Sequence, residues 1–319
     1  MKTLTIGKND AGQRLDKFLT KTFRNLPQSL LYKYIRTKHI KLNGKRCEIS
    51  TRLTEGDTLS LFIKDEFLEE APANYPFQNA SRKLSVSYVD ENILLADKPV
   101  GLIVHSDDKN YGDTLIDRVQ RYLFEKGEYD PARENSFAPA LVNRIDRNTA
   151  GLVIAAKNAE ALRLLNLALK ERTVDKFYLC IVHGQLKQKE AILEGYLEKD
   201  ESKNKVFIHK SPLPGGRTIR TKYRVLEEIP RFSLLEIELL TGRTHQIRAH
   251  FASIGHPLLG DGKYGTNAIN KGTGYDKQAL CSYKLTFHFP AECLLSYLDG
   301  KTFAVPNVWF LEDFASGKL

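Results

Sequence analysis

Between residues 64 and 83 the chain changes character. Asp65, Glu66, Glu69 and Glu70 are followed by Pro72, Pro76 and small polar residues. Acids and prolines at that density favour an extended segment over a core helix or strand, so the stretch reads as a linker or as a strap lying on the next domain. It divides the 319 residues into a small part, 1–63, and a large one, 84–319, each with its own hydrophobic core to close.

Charge divides at the same place. Residues 1–63 carry 13 Lys and Arg against 5 Asp and Glu, whereas residues 84–319 carry 32 against 30. Nearly all of the net charge of +9 therefore sits in the small part, which points to a grip on a polyanion such as nucleic acid. A hydrophobic content of 42% is that of a folded soluble protein. No apolar run approaches the roughly 18 residues needed to span a bilayer. Residues 1–10 lack the apolar core of a signal peptide, so the chain reads as cytoplasmic, with no membrane partner. Cys47, Cys180, Cys281 and Cys293 form no CxxC pair and read as buried thiols.

In the small part, Leu15, Phe18, Leu19 and Leu26 predict an amphipathic helix over 13–25. Pro27 interrupts it, and Ser29 is a candidate N-cap for a second helix, 30–37. Ile40-Lys41-Leu42, the turn signal Asn43-Gly44 and Lys45-Arg46-Cys47 predict a hairpin, and residues 58–62 alternate as a strand. The second helix and the hairpin carry Lys33, Arg36, Lys38, Lys41, Lys45 and Arg46, with Tyr32, Tyr34 and His39 interleaved. Long cations among flat rings suit RNA phosphates and exposed bases. The alternative is an ordinary solvated basic face; the local concentration of charge favours RNA. With Arg14-Leu15-Asp16-Lys17-Phe18-Leu19, Ile40-Lys41-Leu42-Asn43-Gly44-Lys45 and Leu53-Thr54-Glu55-Gly56-Asp57, this part resembles an S4 RNA-binding domain.

In the large part, residues 86–89 and 93–96 predict strands around Asp90-Glu91-Asn92. Helices are expected at 113–125 and 158–171, strands at 176–182, 218–226 and 232–240, and a short helix from about Thr244 to Gly255. Strands outnumber helices and do not alternate with them, so the expected class is α+β with a mixed, largely antiparallel sheet, beside a small α+β domain. Two motifs fail. Gly260-Asp261-Gly262-Lys263-Tyr264-Gly265 fits GxGxxG but lacks the strand before and the helix after that a dinucleotide site needs. His245, His250 and His256, spaced five and six apart, do not stack on one helix face as a metal triad would.

Four other segments fit together. If a strand persists through Arg144-Ile145-Asp146, Arg144 and Asp146 share a side, as do Lys176 and Tyr178 further on. Thr241-Gly242-Arg243 opens the short helix, whose stripe of Ile247, Phe251 and Ile254 leaves Arg248 beside the buried face, able to reach a neighbouring carboxylate. Asp97-Lys98-Pro99-Val100-Gly101 and His105 form a rigid loop between apolar pieces. A carboxylate among guanidinium groups is either a structural ion pair or a group held for chemistry. Guanidinium opposes the protonation that burial favours, so both readings predict a charged carboxylate.

These segments, in this order, resemble the RluA family of pseudouridine synthases in its S4-containing branch. Asn143-Arg144-Ile145-Asp146-Arg147-Asn148-Thr149-Ala150-Gly151 is similar to the family's catalytic motif, with Asn143, Ile145 and Ala150 in place of the usual His, Leu and Ser. Lys176-Phe177-Tyr178, residues 241–248 and 255–265, and the Asp97-Lys98-Pro99 block are similar to its other motifs. The resemblance implies isomerisation of uridine to pseudouridine in RNA, most often large-subunit ribosomal RNA or a pre-ribosomal particle, by a monomer without cofactor or metal. It implies Asp146 as catalytic carboxylate, Arg144 as the wedge that displaces the target base, Tyr178 packed on the flipped uracil and Arg248 paired with Asp146. Whether Asp146 attacks the sugar or removes its C2′ proton stays open. The alternatives are a non-catalytic RNA-binding or ribosome-assembly factor on the same scaffold, and action on tRNA.

Overall fold

A computed structural model describes residues 1–68, 75–106, 112–202 and 204–319; Glu69, Glu70 and Pro72 of the acidic segment lie outside the described residues. The N-terminal unit begins with β1 (Lys2–Thr5), α1 (Leu15–Thr22) and α2 (Gln28–Arg36). A hairpin of β2 (Ile40–Leu42) and β3 (Lys45–Arg46) and then β4 (Thr58–Leu61) complete a four-stranded sheet in the order β1-β4-β2-β3. Phe18, Leu19, Leu31 and Ile35 from the two helices close its core against Ile40, Leu59 and Leu61. The second helix starts at Gln28 with Pro27 at its N-cap, so Ser29 lies inside it rather than capping it. Proline's fixed φ already sets the chain for helix entry there.

The larger unit starts with Pro76–Asn79, a short 3-10 turn that buries Phe77 against Leu94, Val119 and Tyr129. This piece of the acidic segment is therefore a strap on the larger core. Then come β5 (Ser85–Val89), β6 (Ile93–Lys98), α3 (Leu115–Glu125), β7 (Ala140–Leu141), β8 (Ala150–Ala156) and α4 (Ala159–Glu171). They are followed by β9 (Val174–His183), β10 (Glu190–Asp200), β11 (Lys205–His209), β12 (Arg217–Ile229) and β13 (Phe232–Glu238). The chain ends with α5 (Gln246–Ser253), α6 (Asn267–Asn270), β14 (Leu280–Phe287), β15 (Thr302–Ala304) and α7 (Leu311–Ala315). Among the described residues the strands make one eleven-stranded sheet, β11-β10-β12-β13-β9-β14-β8-β6-β5, with β15 beside β14 and β7 beside β8. Its pairs are antiparallel except β14 with β8, the mixed α+β arrangement that the strand pattern predicts.

β8 is buried along its whole length, as a strand covered on both faces must be. Leu152 and Ile154 point into the core that α4 closes, and Val153 and Ala155 into the one that α3 closes. On that second side, further along the sheet, Tyr178, Cys180 and Ile237 meet Ile247 and Phe251 of α5. The face thus carries two cores, under α3 and under α5, and Ile145 packs against both. Gly151 opens β8 at φ +107°, and a Cβ there would lie 2.2 Å from the Ser282 carbonyl oxygen, so only glycine allows β14 this close.

The two units meet along a polar seam. Asp10, 1% exposed, accepts hydrogen bonds from Ser136 Oγ (2.6 Å) and Asn135 Nδ2 (2.8 Å). Asn9 Oδ1 accepts the Ala159 N–H at 3.0 Å, and Gln13 Nε2 donates to Ser136 Oγ at 3.0 Å. Among the described residues no helix is long and apolar enough to cross a membrane.

Candidate active site

Asp146 lies in a cleft of about 1300 Å3 over the middle of the large sheet. No strand runs through residues 144–146; the segment is an irregular loop between β7 and β8. A strand would give up the turn that carries the carboxylate, closed by Thr149 N donating to Asp146 O at 3.0 Å. The departures from the family motif hold this loop. Asn143 Oδ1 accepts the Ile154 N–H at 2.7 Å, Ile145 bridges the two cores, and Ala150 is buried where β8 meets Cys281 of β14.

Lys98 holds the loop from beneath. It is fully buried, and its Nζ donates to the carbonyl oxygens of Leu102 (2.8 Å), Arg147 (2.9 Å) and Pro99 (3.0 Å). Three acceptors match the three N–H bonds of an ammonium. Burial pushes Lys98 down to about 7, against the opposing attraction of Asp146 and Asp97. Sequence reasoning misses this role; its one signal is a lysine ending the apolar run Ile93-Leu94-Leu95-Ala96.

Arg248 does reach Asp146. Its Nη1 donates to Asp146 Oδ2 at 2.8 Å, while Nε and Nη2 donate to Asp261 Oδ2 and Oδ1 at 2.7 and 3.0 Å. Asp261 is fully buried and also accepts the N–H groups of Lys263 and Tyr264. Burial would raise its carboxyl, but Arg248 and the two amides outweigh it and hold Asp261 below the usual carboxylate range. Burial likewise opposes the Arg248 charge, and the two carboxylates outweigh it, raising Arg248 above its ordinary value. Asp261, like Lys98, falls within a motif block, but its role in holding Arg248 escapes a reading of the sequence. The apolar stripe of α5 is shorter than predicted: Ile254 caps the helix and is 42% exposed, because the chain turns away at Gly255.

Tyr178 lines the cleft on β9 next to Lys176, with its ring largely buried. Burial pushes its phenol up to about 12, against a smaller opposing effect of Ser282, so the hydroxyl keeps its proton at neutral pH. Arg144 is exposed at the cleft, and its guanidinium has no hydrogen-bond or ion-pair partner among the described residues. Arg147, Lys170, Arg172, Arg243 and Lys263 also line the cleft, so a unit that is near neutral overall presents a basic mouth. The three histidines go separate ways: His245 to the cleft, His250 to buried Thr221 (3.0 Å), and His256 to the His183 carbonyl oxygen (2.8 Å).

In the N-terminal unit Lys33, Arg36, Lys38, Lys45 and Arg46 are exposed, and Lys41 lies half-buried over the Phe62 ring at 5.5 Å. None of the six is paired with a carboxylate among the described residues. Tyr32 and Tyr34 are half-buried and pack partly into the core.

Residues 92–253, about half of the chain, match the family model described as RNA pseudouridylate synthase, and residues 13–59 match the S4 domain. The chain belongs to the RNA pseudouridylate synthase family. The synthase is 30% identical to ribosomal large subunit pseudouridine synthase C of Vibrio parahaemolyticus, over 90% of this chain and 88% of the relative. It is 31% identical to an uncharacterised RNA pseudouridine synthase of Mycoplasma genitalium, over 96% of each. Ribosomal large subunit pseudouridine synthase D of Nitrosomonas europaea is 30% identical over 90% of this chain and 80% of its own length. The synthase shares its fold with human RNA pseudouridylate synthase domain containing 4, at a TM-score of 0.56 and 19% identity over 72% of this chain and 90% of the human one.

Proposed function

We propose that the synthase isomerises uridines of large-subunit ribosomal RNA, with Asp146 as the catalytic carboxylate. The observation that carries this is the Arg248 guanidinium, which fixes Asp146 at 2.8 Å in a cleft walled by Tyr178 and rimmed with cations. Relatives named for the large ribosomal subunit support the substrate. A stacked uridine hides its glycosidic bond, so the base must leave the helix. Arg144, exposed and free of other partners among the described residues, fills the vacated stack. Tyr178 offers its ring to the extruded uracil and, holding its proton, serves as a surface rather than a base. Asp146 then meets the sugar, as a nucleophile at C1′ or as the base at C2′.

Residues 1–63 add affinity for the phosphate backbone through Lys33, Arg36, Lys38, Lys41, Lys45 and Arg46. Action as a monomer, in the cytoplasm with its RNA, is part of the same proposal. Pseudouridine mapping of ribosomal RNA in a deletion strain, complemented by wild type or by Asp146→Asn, tests the reading. Wild type restores specific pseudouridines and Asp146→Asn restores none. Wild type that binds ribosomal RNA without modifying it would indicate an assembly factor instead, and sites restored only in tRNA would move the substrate.

A further inference from the structure

His245 faces the same cleft as Asp146, and neither flipping the base nor acting on the sugar calls on it. Its backbone sits at φ +54°, a left-handed conformation that is costly for a side chain bearing Cβ and that is retained where the surroundings enforce it. Nδ1 lies 2.9 Å from Tyr264 Oη, and that same oxygen accepts the Val206 N–H at 2.9 Å. With the Tyr264 hydroxyl taken as the donor of this pair, Nδ1 is the acceptor. The network then assigns the ring proton to Nε2, on the side facing Asp146, whose Oδ2 is 3.9 Å away. That separation is too long for a hydrogen bond and leaves both groups free to meet neighbouring atoms of one nucleotide.

We propose that His245 is a further catalytic residue, whose Nε2–H donates a hydrogen bond to the uracil carbonyl beside the breaking glycosidic bond, O2 before the base turns and O4 afterwards. This rests on the reading of Asp146 as the group that acts on the sugar. If Asp146 addresses C1′ or C2′, the nearest carbonyl of the base is O2, on the carbon next to N1. When C1′–N1 breaks, the bonding pair leaves with the base and spreads over N1, O2 and O4. The new C1′–C5 bond takes a pair from the ring, C5 loses its proton, and N1 gains one, so the isomerisation balances without another reactant.

The shape of uracil makes one donor serve both halves of the reaction. A half-turn about the N3–C6 line exchanges N1 with C5 and O2 with O4. A fixed N–H aimed at O2 of the substrate therefore meets O4 of the product, and the detached anion has the same partner at either end of its turn. The donor is held by Tyr264, and Tyr264 by β11, so it needs no rearrangement as charge develops. Burial holds His245 below its ordinary range, with Arg248 and Lys263 adding to this and Asp146 and Asp261 opposing it. The neutral ring is the form with one donor and one acceptor nitrogen.

The test uses the full-length protein and a ribosomal RNA fragment spanning a uridine that the wild type converts, labelled with tritium at C5. His245→Ala is expected to slow single-turnover tritium release about 100-fold, the usual cost of removing one donor to a developing anion, with RNA affinity unchanged and the protein still folded at the assay temperature. His245→Gln, whose amide can place an N–H near the Nε2 position, restores part of the rate. Replacing the target with 2-thiouridine, whose sulfur is a weaker acceptor, slows the wild type but adds no further loss to His245→Ala. Wild-type rates in His245→Ala beside an inactive Asp146→Asn overturn this inference alone, and full rates in both overturn the Asp146 reading with it. Equal slowing of wild type and His245→Ala by the 2-thio substitution also overturns it, because the two changes would then be independent.

Discussion

Arg248 commits two N–H groups to Asp261 and one to Asp146, so the buried carboxylate orients the guanidinium and the cleft carboxylate receives what is left. The two acids therefore have separable roles. Asp261 is fully buried, and Asp146 keeps about a fifth of its side chain exposed.

Asp261→Asn should accordingly cost stability. It leaves a buried guanidinium short of its main counter-charge, and breaking a buried pair typically costs about 3–5 kcal/mol. Asp146→Asn should change stability by less than about 1 kcal/mol while abolishing turnover. Urea unfolding of the two variants beside pseudouridine assays checks the split; equal destabilisation would show that Asp146 is a structural partner.

Much of the fold and part of the site are legible in the sequence, and the gaps have physical causes. β6 and β9 are read from apolar runs because they are largely buried on both faces. β10 escapes because Glu190, Glu194 and Glu198 alternate on its solvent side and mask the strand. Asp146, Tyr178 and Arg248 stand out by motif, and the cleft brings them together. The role of Lys98, though it lies in the Asp97-Lys98-Pro99 block, is not legible, because all three of its partners are backbone carbonyls, which carry no residue identity, and the one on the catalytic loop, Arg147, is 49 residues away. His245 reads from the sequence as part of the 241–248 block and as a rejected metal ligand, with no role of its own; its partner Tyr264 lies beyond the helix that it caps.

Lys98→Met keeps the buried stem and removes three hydrogen bonds from the loop carbonyls. The carbonyl oxygens of Leu102 and Pro99 then lack donors among the described residues, whereas that of Arg147 keeps the Gly101 N–H at 2.9 Å; each buried group left unpaired costs about 1–3 kcal/mol. We expect a loss of stability together with a fall in kcat larger than any rise in KM, since the loop positions Asp146 but contributes little to RNA affinity. Steady-state kinetics with thermal melts measures both effects.

His250 gives the fold an acid limit. It is buried beside Thr221, and burial lowers its pKa to about 4, against about 6.5 in an unfolded chain. The folded state thus binds the proton less tightly than the unfolded state. Its contribution to stability is complete above about pH 6.5 and is lost as the pH falls towards about 4, by up to roughly 3 kcal/mol. His250→Asn should flatten the unfolding free energy across that window, while wild type shows the slope.

The exposed cations of the N-terminal unit should set the salt dependence of RNA binding. Removing one phosphate-binding cation reduces the slope of log K against log salt by about 0.7–0.9. Lys45→Ala with Arg46→Ala should lower the slope by roughly 1.5 if both bind phosphate, with single-turnover rates at saturating RNA unchanged. An unchanged slope would place the RNA on another face.

The seam at Asp10 changes how that domain can be tested. Deleting residues 1–63 would uncover Asn135, Ser136 and the first turn of α4, because these groups bond to Asp10 and Asn9. A truncation therefore confounds weaker RNA binding with a disturbed catalytic unit. Asp10→Ala is the cleaner probe: it removes the acceptor of Ser136 Oγ and one of the two acceptors of Asn135, which keeps the Thr5 carbonyl oxygen, while leaving every basic residue in place. The bonds of Asn9 and Gln13 to Glu134, Ala159 and Ser136 remain, but the basic face is held less firmly relative to Asp146, so RNA must do more of the ordering of the two units on binding. The expected result is a several-fold higher KM with kcat unchanged, and faster protease cleavage between residues 64 and 83. An unaltered KM would mean that the two units engage RNA independently.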